Sequence, residues 1–196
     1  MEEAKDILIP SNYDIVFVAD LFTEQYVGGA ELTTQALYES VPEGMLVYRI
    51  NARNVTLKTL ESGMNKFWIF GNAASLNFEL LPSIIANLNY SVLEYDYKFC
   101  KYRSIEKHKA SENKDCDCHT QQHGKILSAF FHGAKSVFYM SEGQMKIYHD
   151  RFPFLSNPSE GSNQIVLSSV FDDKMFAAVK QLRTTKRTKH KWIVLG

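Results

Sequence analysis

The stretch from Tyr13 to Leu37, YDIVFVADLFTEQYVGGAELTTQAL, decides the fold through its order of apolar, glycine and helix-forming residues. An apolar run over 15–19 leads through a short loop to Gly28 and Gly29, and a segment of helical character follows at once. A strand, a glycine turn and a helix in this order open many nucleotide-binding α/β domains, where the first helical amides favour an anionic oxygen. Because a lone glycine pair is more often an ordinary turn, this interpretation depends on the rest of the chain.

Apolar segments alternate with helix-like segments along most of the chain. The predicted strands cover 13–19, 45–50, 67–71, 90–95, 135–140 and 164–168, and the predicted helices cover 29–40, 54–62, 76–87, 124–132, 141–150 and 173–182. Several strands are continuous apolar runs, as expected for strands that are buried on both faces. The alternation predicts an α/β fold with a Rossmann-like parallel sheet and helices on both faces. Ligands bind such sheets beyond the carboxyl ends of the strands.

Length, composition and charge exclude several classes of protein. The 196 residues are 45% hydrophobic, which suits one globular domain, and the formal net charge of zero argues against nucleic-acid binding. The acidic start MEEAKDILIP lacks the apolar core of a signal peptide, and no stretch has the roughly 20 apolar residues of a transmembrane segment. Three cysteines in one segment do not suggest a secreted disulfide scaffold. We therefore expect a cytoplasmic protein.

The carboxyl-terminal end differs in composition from the rest of the chain. Residues 183–191 are basic and polar, and the apolar segment KWIVLG at 191–196 begins with the last of them. No aromatic residue is interleaved before Trp192, which favours a solvated linker over a nucleic-acid site. We expect one domain over 1–183, and over 184–196 a linker with the first strand of a second domain that is truncated or missing.

Four motifs at the ends of predicted strands resemble the N-terminal domain of family-4-type glycosyltransferases, which have the two-domain GT-B fold. The segment GGAE at 28–31 is similar to the family's Gly-Gly-x-Glu loop, and YDYKFC at 95–100 is similar to its His-Asp-Tyr-x-x-x-Cys. The pair SE at 141–142 is similar to its helix-starting Ser-Glu, and SSVFD at 168–172 occupies the place of its Asn-Gly-Val-Asp. The motifs lie in the family's order over nearly the whole chain.

The resemblance implies retaining transfer of a sugar from a nucleotide-sugar donor, with a second domain, in cis or in trans, that binds most of the donor. This domain would shape the site for a glycan, lipid or protein acceptor, and no cofactor is required for the fold. The chain alone is then expected to fold without transferring sugar. The amides of Gly28 and Gly29 would approach the donor pyrophosphate, and a side chain at either position would hinder that approach.

The resemblance also assigns residues to the cleft. The catalytic candidates are Tyr95 and Asp96, and the other cleft candidates are Glu31, Ser141, Glu142 and Asp172. Tyr95 stands where the family has a histidine, and a phenol donates a hydrogen bond but does not titrate near neutrality. Two of these residues have structural interpretations as well, because the helix dipole stabilises Glu31 in a first helical turn and Ser141 is suited to cap its helix.

Two other functions stay open on the sequence alone. One is a non-catalytic carbohydrate- or nucleotide-binding module with the same fold, and the other is a different kind of nucleotide enzyme. The chain lacks GxGxxG followed by an acidic residue, and it also lacks GxxxxGK[ST]. These absences argue against a dinucleotide oxidoreductase and a P-loop enzyme.

The segment 97–123 breaks the alternation, since it is polar and carries Cys100, Cys116 and Cys118. Connections this long in a compact domain are usually functional or disordered. The three cysteines and one nearby histidine, His119 or His123, would together supply four ligands for tetrahedral zinc. We take His123 as the candidate histidine. Their spacing matches no common zinc-finger pattern, so a reduced loop with incidental thiols, or a disulfide from Cys100, is the alternative.

Overall fold

A single sheet of six parallel strands forms the centre of the computed structural model, which describes residues 6–157, 161–168, 170 and 173–184. The strands are β1 (Ile15–Ala19), β2 (Val47–Asn51), β3 (Phe67–Phe70), β4 (Asn89–Glu94), β5 (Ser136–Tyr139) and β6 (Asn163–Val166). Their order across the sheet is β2-β1-β3-β4-β5-β6. The sheet confirms the Rossmann-like α/β prediction, and the continuous apolar runs are the strands.

Helices connect the strands and follow the last one. They are α1 (Gly29–Glu39), α2 (Leu57–Ser62), α3 (Leu81–Asn87), α4 (Ile105–Glu112), α5 (Gln122–Gly133), α6 (Glu142–Arg151) and α7 (Asp173–Thr184). Within the part of the chain that the structure describes, none of these helices has the length and apolar character needed to cross a membrane. The expected linker and strand over 184–196 lie outside the described residues, apart from Thr184 at the end of α7.

Three predicted segments differ from the structure for local reasons. The helix predicted over 54–62 begins at Leu57, because Thr56 forms a capping box with Thr59. The helix predicted over 76–87 starts as a 3₁₀ turn and becomes α-helical only beside Pro82, which lacks an N–H and suits a first turn. The irregular segment predicted over 97–123 contains α4, which Ser104 caps by accepting a hydrogen bond from a backbone N–H of its first turn.

Right-handed crossovers decide which face of the sheet each helix covers. The chain moves from β1 to β2 in one direction and then passes back to β3 and onward in the other. Leu37 of α1 therefore packs with Phe17 and Leu93 on one face. Side chains of α2, α3, α5 and α6 pack on the opposite face in the main core. The reversal of direction puts the topological switch point between β1 and β3.

A buried ion pair lies at the carboxyl end of β4. The Lys98 Nζ is 2.6 Å from the Glu94 Oε2, and the two side chains are 7% and 0% exposed. The Tyr148 hydroxyl of α6 donates to the Glu94 Oε1 at 2.6 Å, and the Lys98 backbone N–H donates to the same oxygen at 2.9 Å. Both carboxylate oxygens of Glu94 therefore have partners, as a buried charge requires. Because one partner is Lys98 and another is Tyr148, Glu94 ties the loop after β4 to α6.

We predict that Lys98→Met lowers the free energy of unfolding by about 3–5 kcal/mol, since it leaves the Glu94 carboxylate buried without its counter-charge. Urea unfolding of the variant beside the unmodified chain measures this. Burial raises the pKa of Glu94. The deficit should therefore shrink as the pH falls towards the ordinary carboxyl pKa of about 4.3, where the protonated acid needs no counter-charge.

The double variant Glu94→Gln/Lys98→Met is the control for this prediction, because it removes both charges and keeps the side-chain volumes similar. It should recover part of the lost stability. A double variant as unstable as Lys98→Met would show that the loss comes from packing.

Candidate functional site

The segments that carry three of the four family-like motifs lie at the carboxyl edge of the sheet. Gly28 precedes α1 in an extended conformation, Tyr95 and Asp96 directly follow β4, and Ser141 precedes α6 after β5. This edge flanks the switch point between β1 and β3, where doubly wound sheets bind ligands. The fourth motif ends at Asp172, which lies outside the described residues.

Tyr95 joins the end of β4 to α1. Its hydroxyl and the Thr34 Oγ1 are 3.0 Å apart, and the ring is half-buried. Burial raises the pKa of Tyr95 to about 12, the Thr34 hydrogen bond opposes this rise, and the negative charge of Glu31 adds to it. The phenol therefore stays protonated near neutral pH and is available as a hydrogen-bond donor.

The two glycines before α1 have different surroundings. A Cβ on Gly28 would lie 2.6 Å from the Glu31 Oε2 and 2.8 Å from the Tyr26 ring. The buried Glu31 carboxylate folds back over Gly28 and occupies the space that a side chain at this position would need. A Cβ on Gly29 would meet no described atom within 4 Å. Only Gly29 of this pair thus borders open space, in which a bound molecule could approach the backbone.

Asp96 is held in place by two side chains, Arg103 and Gln144. Its Oδ2 accepts a hydrogen bond from the Arg103 Nε at 2.7 Å, and the Arg103 Nη2 donates to the Asn72 Oδ1 after β3 at 2.8 Å. The Asp96 carbonyl accepts from the Gln144 Nε2 of α6 at 2.7 Å. The Asp96 Oδ1 has no hydrogen-bond partner among the described residues. One carboxylate oxygen is therefore free to accept a hydrogen bond if the edge rearranges around a substrate.

Arg103 reaches Asp96 from a strained backbone. Its φ of 56° lies in the left-handed region, which is uncommon for a residue other than glycine. Its N–H donates to the Cys100 carbonyl at 2.8 Å and its carbonyl accepts from the Tyr97 N–H at 3.3 Å, so a tight loop determines this conformation. Such strain is found at functional sites more often than elsewhere, which supports assigning this loop to the site.

Asp20, directly after β1, is a residue of this edge that the sequence motifs do not include. Its Oδ1 accepts from both the N–H and the hydroxyl of Ser75, at 2.8 and 2.5 Å, and its Oδ2 accepts from the Ala74 N–H at 2.8 Å. Asp20 thus fixes the loop after β3. The sequence could have identified Asp20, because it is the first polar residue after a buried strand, where parallel sheets present ligand-binding groups.

Ser141 and Glu142 take part in the edge only through the start of α6. The Ser141 Oγ accepts from the Gln144 N–H at 3.1 Å, so Ser141 is the helix cap that its structural interpretation predicted. Both residues are exposed. Gln144, which no sequence motif includes, is the residue of this helix that contacts Asp96.

A cavity of about 290 Å³ lies between the loop after β3 and the loop after β4. Its walls are mainly aromatic and aliphatic, and its charged or titratable members are Lys98, Cys100, Lys101, Arg103 and His123. A concave, largely apolar site with a few convergent polar groups is typical of small-molecule binding. Because Arg103 also contacts Asp96, the cavity adjoins the carboxyl edge described above.

The three cysteines lie together with His108 of α4. The four residues are buried, and their ligand atoms all lie within 4.8 Å of one another. The His108 Nδ1 is 3.5 Å from the Cys118 Sγ and 3.7 Å from the Cys100 Sγ. All three cysteines are free thiols, so no disulfide involves Cys100. Burial raises the pKa of the Cys116 thiol to about 12.

Neither histidine that the sequence suggested for this cluster lies in it. The His123 Nε2 lies 3.1 Å from the Lys98 carbonyl oxygen, and its ring stacks on Phe78. The His119 Nδ1 lies 3.2 Å from the Arg151 Nη1. His108 was missed because 97–123 was predicted to be irregular, whereas α4 determines where that side chain lies.

No model of a known protein family matches the chain, and no curated protein matches it at a significant level. The functional assignment of the chain therefore depends on the geometry of the carboxyl edge and of the cysteine cluster.

We predict that Gly28→Val lowers the free energy of unfolding by about 1 kcal/mol, because the Glu31 carboxylate must leave its buried position, the Tyr26 ring must move aside, and valine is a poor residue before a helix. Gly29→Val is the matched variant, one residue away in open space, and should stay within about 0.5 kcal/mol of the unmodified chain. Denaturant unfolding of both variants measures the difference. Equal stabilities would contradict the assigned position of Glu31.

We predict that Gly124→Ala is destabilising, by about 1–3 kcal/mol. A Cβ there would lie only 2.7 Å from the His119 Cα and closer still to the Cys118 carbonyl oxygen, and backbone atoms of this kind cannot move aside cheaply. Gly143→Ala in α6 is the control, since its Cβ would meet only the Ser141 Oγ at 3.9 Å. The control should be neutral or stabilising, because alanine favours helix. Thermal unfolding decides, and equal melting temperatures would contradict the prediction.

Proposed function

We propose that this chain is the acceptor-side half of a GT-B glycosyltransferase of family-4 type, which works with a second domain that binds a nucleotide-sugar donor. The 3.0 Å contact between the Tyr95 hydroxyl and the Thr34 Oγ1 carries the proposal. It joins the helix that the glycine pair opens to the end of β4. Two of the motifs on which the resemblance depends are thereby adjacent in space.

The start of α1 supports a donor-phosphate site. Gly28 offers no side-chain cap, so the first amides of the helix lack a partner of that kind. The positive end of the helix dipole favours an anion, and the open space at Gly29 allows a phosphate oxygen to approach. Glu31 carries a negative charge beside these amides, so its carboxylate is suited to contact sugar hydroxyls and not the phosphates.

Tyr95 and Asp96 support the placement of the reacting sugar and of the acceptor. With a pKa of about 12, Tyr95 acts by donating a hydrogen bond and not by transferring a proton. The Arg103 guanidinium fixes one oxygen of Asp96, and the other, which is buried and has no partner among the described residues, would orient an acceptor hydroxyl once the edge rearranges around the substrate. The adjoining cavity of about 290 Å³ is the candidate acceptor pocket, and its apolar walls suit a sugar face or a lipid chain.

Tyr95→Phe, assayed together with the donor-binding domain in cis or in trans, tests the proposal. If the hydroxyl contacts the reacting sugar, the variant should lose about 5- to 150-fold in kcat, because a transition-state hydrogen bond contributes about 1–3 kcal/mol. Tyr48→Phe, on β2, is the control and should keep its rate. The assay follows release of nucleoside diphosphate from a panel of nucleotide sugars with glycan and lipid acceptors, beside the melting curves of both variants.

The outcomes separate the alternatives. Turnover that falls in Tyr95→Phe with an unchanged melting temperature supports the proposal. Binding of nucleotide sugars without turnover, followed by calorimetry, would overturn it in favour of a non-catalytic carbohydrate- or nucleotide-binding module. If the protein neither binds nor turns over any donor in the panel, both functions are overturned.

A further inference from the structure

We propose that Cys100, His108, Cys116 and Cys118 bind one zinc ion, which holds the segment between β4 and α5 in place. Three sulfurs and one imidazole nitrogen form a closed tetrahedral ligand set of the kind that structural zinc prefers. The four residues are buried together, with ligand atoms within 4.8 Å of one another. This inference goes beyond the proposed sugar transfer and does not depend on it.

The two nitrogen–sulfur distances at His108 match those of a tetrahedral site. With zinc bonds of about 2.3 Å to sulfur and about 2.05 Å to nitrogen, a sulfur and a nitrogen on one ion are about 3.6 Å apart. The His108 Nδ1 is 3.5 Å from the Cys118 Sγ and 3.7 Å from the Cys100 Sγ. A central ion would therefore satisfy these ligands with little movement of the chain.

The second ring nitrogen of His108 points to the same conclusion. Its Nε2 is buried and has no hydrogen-bond partner among the described residues, and the Asp117 Oδ1 is 3.9 Å away. A histidine that binds metal through Nδ1 carries its proton on Nε2, and such histidines usually donate that proton to a carboxylate or a carbonyl. Asp117 is placed for this role after a small shift.

The surroundings suit the charge of the site. Three thiolates and one Zn²⁺ sum to one negative charge, which needs compensation in a buried setting. The Arg151 Nη1 donates to the Cys116 carbonyl oxygen at 2.8 Å, and its guanidinium lies over the Phe99 ring at 5.2 Å. This cation is thus fixed beside the cluster.

A structural ion would stabilise a region that the apolar core supports weakly. Among the residues that the structure describes in α4, His108 alone is buried. One ion would connect this helix to Cys100 in the loop after β4 and to the turn that begins at Cys118, before α5. It would also fix the tight loop through which Arg103 reaches Asp96, because Cys100 accepts a backbone hydrogen bond from Arg103 in that loop.

Metal analysis of the unmodified chain is the first experiment. The protein is produced with a tag that contains no histidine, without added metal, and purified in a reducing buffer without chelator. We expect about one zinc ion per chain. Exchange for Co²⁺ should give the visible absorption bands of tetrahedral cobalt with thiolate ligands. A folded, metal-free protein that takes up neither ion would overturn the proposal.

A matched pair of histidine variants tests the ligand set. His108→Ala should lose most of the zinc, whereas His123→Ala should keep it, because His123 contacts the Lys98 carbonyl and lies outside the cluster. His108→Cys should restore binding, since four thiolates also form a closed zinc site. A purely structural role for His108 would not predict this rescue. Equal zinc contents in His108→Ala and His123→Ala would overturn the assignment.

Hydrogen exchange tests the role of the ion in the unmodified chain. After chelation under reducing conditions, amides of α4 should exchange at least about 10-fold faster, while those of β1 and β3 should change little. Added zinc should reverse the change. Exchange rates of α4 that do not respond to chelation would exclude a structural role for the ion.

Discussion

Handedness of the crossovers is the constraint on which the rest of this structure depends. Each connection between parallel strands must be right-handed, so a reversal of direction along the sheet moves the connecting helices to the other face. The reversal after β2 therefore leaves α1 on one face and places α2, α3, α5 and α6 on the other. The same reversal opens the crevice between β1 and β3, and Asp20 and Asn72 lie at its two sides.

The loop after β4 connects the core, the cysteine cluster and the carboxyl edge. Lys98 is held by the buried Glu94, Cys100 belongs to the cluster, and Arg103 binds Asp96 at the edge. These anchors lie within a few residues of one another, so a change at one is expected to move the others. A loop with this many fixed points can keep an acceptor site rigid without belonging to a helix or a strand.

At the carboxyl edge of the sheet, the sequence predicts which residues lie there better than it predicts what each residue contacts. Gly28 and Gly29 were given one common reason for lacking a side chain, but the structure gives them different surroundings, because the Glu31 carboxylate folds over only the first of them. Ser141 was predicted correctly as a cap, since capping depends on the next few residues of the same helix. Gln144 and Asp20 were missed because their partners come from other elements.

The sequence by itself determined the parallel sheet, since buried strands are continuous apolar runs and their alternation with helical segments leaves little choice of architecture. It also determined that Cys100, Cys116 and Cys118 belong to one segment, and that Tyr95 and Asp96 follow a strand. Only the tertiary structure decided that His108, and not His119 or His123, joins the cysteines. That choice depends on where α4 packs, and packing of a short polar helix is set by long-range contacts that sequence spacing does not contain.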